Sequence, residues 1–274
     1  MNAITPTSES IVAVAKLTKD IRTAARTIKD NEARYLVTTY YAVQENRKAT
    51  ANQIRALEAA GQPHDVLDHF LNQYSTIERS IKRVLDIYTD NHPIGQWMKD
   101  ITGIGPVITA GLLAHIDITK APTVGHIYSF AGLVPGQKWG KGQKRPWNAE
   151  LKKLLWLLGE SFVKVSNRED DVYGKYYRER KEQEIALNEQ GGFAEQAQAM
   201  LKSKDIGKNT EAYKWYSEGK LPPAHIHARA KRYAVKLFLS HLHEIWYEDE
   251  YGIKPPQPYA IAHLGHAHRI EPPM

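Results

Sequence analysis

The run Lys138-Trp139-Gly140-Lys141-Gly142-Gln143-Lys144-Arg145-Pro146-Trp147 interleaves cations with large aromatic rings on a glycine-rich stretch. Lysine and arginine neutralise phosphates, and an indole face stacks on an unpaired base for about 1–3 kcal/mol. The combination suits a single-stranded or distorted nucleic acid better than sequence reading in a duplex groove. The plain alternative is that Trp139 and Trp147 cap a hydrophobic core while the lysines face water. Trp156, set among Leu154, Leu155, Leu157 and Leu158, reads as a core residue.

A second constellation runs from Trp97 to His115 and has the pattern helix, Gly-apolar-Gly hairpin, helix. Gly103 and Gly105 permit positive φ and a close backbone approach. Ile104 would pin the hairpin into the core, and Pro106 suits the first turn of a helix, where its missing N–H is not needed. The free N–H groups and positive dipole end of that helix then suit a phosphate oxygen, a contact that positions nucleic acid without reading its sequence. A tight helical turn with no ligand is the alternative.

Histidines are the remaining chemistry. His225-Ile226-His227 and His241-Leu242-His243 have the His-apolar-His form that chelates a metal in replication and relaxation nucleases, with Tyr173, Tyr176 and Tyr177 as potential nucleophiles. On a strand the two rings would share a face. On a helix, positions i and i+2 point about 200° apart. Both pairs fall at or inside an expected helix, so neither should hold one ion. His263, His266 and His268 read as surface residues, and Ser161 as helix packing.

Charge is unevenly placed. The 274 residues hold 37 Lys+Arg against 31 Asp+Glu, a net +6, yet residues 1–92 carry 12 basic and 11 acidic side chains. From Lys138 to Lys153, six cations (Lys138, Lys141, Lys144, Arg145, Lys152, Lys153) meet one acid, Glu150. From Lys220 to Lys236, five cations (Lys220, Arg229, Lys231, Arg232, Lys236) meet none. Concentrated positive charge is the footprint of a polyanion site. Arg229, Arg232 and Lys236 fall at three- and four-residue spacing, a second phosphate-contact stripe.

Several classes are excluded. With no cysteine, disulfide scaffolds, thiolate metal sites, iron–sulfur clusters and cysteine nucleophiles are ruled out. No apolar run approaches the ~18 residues of a membrane span, and Met1–Glu9 lacks the features of a secretory leader. A cytoplasmic protein with no membrane partner and no cofactor is expected.

The positioning elements follow from periodicity. Ile11, Val14, Leu17, Ile21, Ala24 and Ile28 predict an amphipathic helix over 8–28. A second helix runs from about 30 to 60 and stops at Gly61-Gln62-Pro63, although Tyr35–Tyr41 has strand-like composition. A third fits His64 to Tyr88. The second and third read as an antiparallel hairpin of coiled-coil length, either a homo-oligomerising arm or a pair buried within one chain. Residues 93–165 read as short helices broken by Gly and Pro. Charged helices follow over 172–189 and from Phe193, and a last long helix over 224–248. The expected fold is all-α, with a helical arm at 1–92, a helix–hairpin–helix domain at 93–165, a charged helical region at 166–250 and a Pro/His-rich tail at 251–274.

Downstream of the hairpin, Ala131-Gly132-Leu133-Val134-Pro135 closes a short helix and leads into the first basic island. With Gly103-Ile104-Gly105-Pro106 and the basic helix that follows, the chain resembles the C-terminal domain of the DEDD insertion-sequence transposases, the bridge-RNA-guided recombinases. The resemblance covers about residues 64–165 and, more loosely, Leu221–Leu239. It implies DNA or structured RNA as partner.

Two departures limit what carries over. Members of that family have an N-terminal RuvC-like nuclease domain with four acidic metal ligands, and the first 92 residues here are too few and too helical to build it. Their nucleophilic serine follows the Gly-Leu-Val-Pro segment, where this sequence reads Gly136-Gln137-Lys138-Trp139-Gly140-Lys141-Gly142, with no hydroxyl. Strand transfer has no obvious residues to run on. The expected interface is therefore Gly103, Ile104, Gly105, Lys138, Trp139, Lys141, Lys144, Arg145, Trp147, Lys152, Lys153, Arg229, Arg232 and Lys236, with no catalytic or metal-binding residue. The alternatives are an active recombinase with a rearranged or partner-completed site, and a homo-oligomeric assembly protein.

Overall fold

The computed structural model describes residues 17–257 and 269–273. Among them are eleven α-helices, one 3₁₀ turn and no strand, so the chain is all-α. Contacts divide it into two compact units: the residues up to Asp100 with Ile104–Asp117, and Ile101–Gly103 with Ile118 onward.

Among the described residues the first unit opens on α1 (Lys19–Ala25), which ends before the expected Ile28. Thr18 caps it, the hydroxyl oxygen accepting from the Ile21 N–H at 3.3 Å, and the Thr27 hydroxyl takes the Ala24 carbonyl at its far end. Ile28 lies beyond the helix, while Ile11 and Val14 lie outside the described residues.

Most of the unit is α2 (Asp30–Ala59) and α3 (Asp65–Asp90). Gly61, at φ +65°, lets the Gln62 N–H return to the Leu57 carbonyl at 2.9 Å, and Pro63 prevents continuation. The chain then reverses. Arg47 and Gln44 both donate to Glu78, at 2.5 and 3.1 Å, and the Tyr88 hydroxyl donates to Asp30 at 3.0 Å. Early α2 therefore faces late α3, an antiparallel pair. The Tyr35–Tyr41 patch is helical despite its composition. Ala33 and Val37 are buried one turn apart while Tyr35 faces water, a helical burial pattern.

α4 (Pro93–Asp100) and α5 (Pro106–His115) complete the unit. α5 is its apolar centre, with Val107 and every residue from Thr109 to Ala114 buried. A helix apolar all round belongs inside. The Arg34 guanidinium donates to the Ala114 carbonyl, one of the last-turn acceptors that no helical N–H reaches.

The second unit holds α6 (Val124–Phe130), α7 (Ala149–Val165), α8 (Tyr173–Glu189), α9 (Ala194–Ser203), α10 (Glu211–Ser217) and α11 (Pro223–Tyr251). The long α11 packs on α7 and α8. Leu151, Leu155, Leu158 and Phe162 of α7 meet Tyr173 of α8 and Phe238, Leu239 and Leu242 of α11 in the core. Phe162 stacks on Tyr173 at 5.0 Å, and Phe238 stands edge-on to Tyr173 at 5.4 Å. Gly159 permits the close α7–α11 approach, since a Cβ there would lie 2.7 Å from the Lys231 side chain. A smaller cluster of Phe193, Ala197, Tyr216, Leu221 and Ile226 seats α9 and α10.

Candidate nucleic-acid interface

The first basic island occupies a loop pinned at both ends. At its start, Gly132 takes φ +65° and the Leu133 N–H returns to the Tyr128 carbonyl at 2.8 Å, closing α6. At its end, the Asn148 N–H donates to the Phe130 carbonyl at 2.8 Å, and the Asn148 side chain caps α7 by accepting from the Leu151 N–H at 3.0 Å. The feet of the loop are thus held together. Trp147 lies over Gly132, where a Cβ would stand 2.7 Å from the ring.

Between those feet, Lys138, Lys141, Lys144 and Arg145 are exposed, as are Lys152 and Lys153 on the first turn of α7. Among the described residues no carboxylate pairs with any of the six. Two of them instead lie against indoles: the Arg145 guanidinium is 4.6 Å from the centre of the Trp139 ring, and the Lys152 ammonium 4.4 Å from that of Trp147. The Trp139 Nε1–H donates to the Gln143 carbonyl at 2.7 Å. Both rings are engaged in holding the loop, Trp139 outside the core and Trp147 half-buried.

Trp156 departs from expectation. It is 56% exposed. Leu154 and Leu158 face the core of the unit, and a residue two positions from each on a helix points the opposite way. The run of leucines around it concealed that phase. Ser161, on the packed side, donates to the Gly103 carbonyl at 2.5 Å. Its hydroxyl is thereby committed to structure, as its helical setting suggests.

The hairpin glycines differ in role. Gly103 has φ +94° and sits against Val165, whose Cγ2 would be 3.1 Å from an added Cβ. Gly105 does not use its freedom: it is the N-cap of α5 at φ −106°, extended backbone open to any residue, with nothing within 4 Å of an added Cβ. Ile104 is buried, and Pro106 takes the first helical position as its chemistry predicts.

Residues 95–178 match the IS116/IS110/IS902 transposase family. The match runs from α4 through the glycine turn, α5, α6, the basic loop and α7 into the start of α8. The transposase-family stretch thus contains the Trp147–Gly132 contact and all six cations that lack a carboxylate partner among the described residues. No curated protein and no solved structure matches the chain.

Outside the transposase-family stretch the second basic island is largely neutralised. Arg229 donates to Glu184 at 2.6 Å and to Gln196 at 3.0 Å, with its guanidinium over the Phe193 ring. Lys220 pairs with Glu189 at 2.5 Å, and Lys231 with Glu160. Arg232 is exposed, and Lys236 is half-buried with its ammonium 4.5 Å from the centre of the Tyr128 ring. Burial without a carboxylate holds the Lys236 ammonium below the ordinary lysine pKa.

Each histidine of the two His-apolar-His pairs, all four on α11, has its own partner from elsewhere in the unit. The Tyr173 hydroxyl donates to Nδ1 of His241 at 2.8 Å, and the hydroxyls of Tyr216 and Tyr177 share hydrogen bonds with Nδ1 of His225 and His227 at 3.1 and 2.8 Å. The Nε2–H of His241 then donates to the Ile270 carbonyl, and that of His243 to the Ala121 carbonyl. Among the described residues no group of three His, Asp or Glu is placed to hold a metal ion. His263, His266 and His268 lie outside them.

Proposed function

We propose that this transposase-like protein binds nucleic acid, DNA or structured RNA, through the loop after α6 and the first turn of α7, without cutting it. The observation that carries the reading is the set of six exposed cations, Lys138, Lys141, Lys144, Arg145, Lys152 and Lys153, with no carboxylate paired to them among the described residues. Gathered cations repel one another in the free protein, and phosphates relieve that repulsion while releasing their own counterions. The match of this stretch to a transposase family favours nucleic acid as the polyanion.

The rest of the reading is built around that loop. Gly103, Ile104 and Gly105 fit a helix–hairpin–helix whose second helix offers N–H groups that no side chain caps. Arg232 and Lys236 supply a lesser contact, and Arg229 a structural one. Trp139 and Trp147 shape the loop and border the strand. The resemblance to the DEDD recombinases supports the partner class, and the absence of a hydroxyl from residues 136–142 supports binding over chemistry. Val66, Phe70 and Ile77 expose apolar surface along α3, which supports a homo-oligomer through the N-terminal helices. A cytoplasmic location fits this role.

The test is equilibrium binding of single-stranded, duplex and branched DNA, and of RNA, across a salt series. Affinity should fall steeply as salt rises. Absence of binding at low salt would remove the reading and favour the assembly role, whereas metal-dependent nicking or a covalent protein–DNA adduct would favour the enzyme.

A further inference from the structure

We infer that Trp156 is a stacking platform for an unpaired base, so that the ligand of this face is a single-stranded or locally opened nucleic acid; the inference rests on the nucleic-acid reading above and deepens it. Of the three tryptophans near the basic loop, Trp156 is the one that neither ties the loop nor covers a glycine; its one ring partner among the described residues is Lys231. Trp139 is tied by its N–H to the Gln143 carbonyl, and Trp147 covers Gly132. Trp156 stands on the open face of α7, 56% exposed.

Its surroundings select the ligand. The Lys231 ammonium lies 5.1 Å from the centre of its ring and is held in place by Glu160, one turn further along α7. Lys152 lies one turn before it and Lys164 two turns after it, both exposed, with Lys153 beside Lys152. An aromatic ring exposed among cations presents the two chemistries of a nucleotide, a π face for the base and positive charge for its phosphate. Within a duplex each base already stacks on its neighbours and has no face to give. A base that meets Trp156 must therefore be unpaired or displaced. Lys152, one turn before Trp156 on α7, has its ammonium over Trp147 at the foot of the loop. A strand crossing the loop is thus led onto α7.

The experiment compares Trp156→Ala and Trp156→Phe with the wild type, using a fluorescein-labelled oligothymidylate of about 20 nucleotides and a blunt duplex of the same length. Thermal melts serve as the control for folding, and an exposed residue should leave them unchanged. Trp156→Ala should weaken single-strand binding about ten-fold, leave duplex binding within about two-fold, and abolish part of the tryptophan quenching on binding. Trp156→Phe should keep most of the affinity, because a ring remains. Wild-type single-strand affinity in Trp156→Ala, or an equal loss on both probes, would overturn the stacking role while Lys144→Ala with Arg145→Ala still reports on the nucleic-acid reading. Wild-type binding to duplex alone would also overturn it. If the wild type binds neither probe, the nucleic-acid reading fails and the stacking role with it.

Discussion

The ring of Trp147 covers Gly132 so closely that a Cβ on the glycine would stand 2.7 Å from it, and Gly132 also holds φ +65°. Two constraints therefore meet at one residue, a backbone conformation that L side chains rarely adopt and a contact with no room for a methyl group. Gly132→Ala should destabilise the second unit by about 1–3 kcal/mol. It should weaken nucleic-acid binding although all six cations remain, because the foot of the loop shifts. Denaturant melts with binding on the same preparation test this, and unchanged stability would show that the ring yields freely.

Glu184 is buried and accepts from both Arg180 and Arg229, at 2.9 and 2.6 Å. Removing it leaves Arg229 without a carboxylate beside the apolar cluster of Phe193. Glu184→Ala should cost about 1–3 kcal/mol. Arg229→Ala should likewise lower the melting temperature and leave nucleic-acid affinity nearly unchanged, whereas Arg232→Ala should do the reverse. A melt and a binding curve on each variant decide whether the stripe on α11 is one surface or two roles.

The histidines of α11 make stability depend on pH. Burial, ahead of the neighbouring cations, holds His225, His227, His241 and His243 below the ordinary value of 6.5. The folded chain therefore binds these protons less readily than the unfolded chain. Stability is full above the unfolded pKa and is lost as pH falls below it toward the lowered folded values. The melting temperature should be level above about pH 7 and fall between about pH 6.5 and pH 5. His241→Gln should make that fall shallower. A melting temperature that rises on acidification would contradict the neutral Tyr–His pairs.

The helical class and most helix ends were legible because they rest on local chemistry: Gly61-Gln62-Pro63, the Gly191-Gly192 break and Pro106 each act through their own backbone. The separation of the His-apolar-His rings was legible for the same reason, since a helix fixes the angle between i and i+2. What failed depends on neighbours distant in sequence. Trp156 sits in a run of apolar residues whose phase is set by packing on α11, and Arg229 is ion-paired with a glutamate 45 positions away. The strand-like Tyr35–Tyr41 patch became helix because α3 and α5 offer a helical groove to Ala33 and Val37. Gly105 reads like Gly103 in sequence, yet only Gly103 needs its glycine conformation.

The most direct test of the account is the salt dependence of binding in two multiple variants. One carries Lys138→Ala, Lys141→Ala, Lys144→Ala and Arg145→Ala, and the other Lys220→Ala and Arg229→Ala. Each phosphate contact contributes about 0.7–0.9 to the slope of log affinity against log salt. The loop variant should lose about three from that slope and bind far more weakly. The second variant, whose cations are already paired with Glu189 and Glu184, should keep the wild-type slope. A loop variant with the wild-type slope would contradict the central claim that the free cations of this loop hold the phosphates.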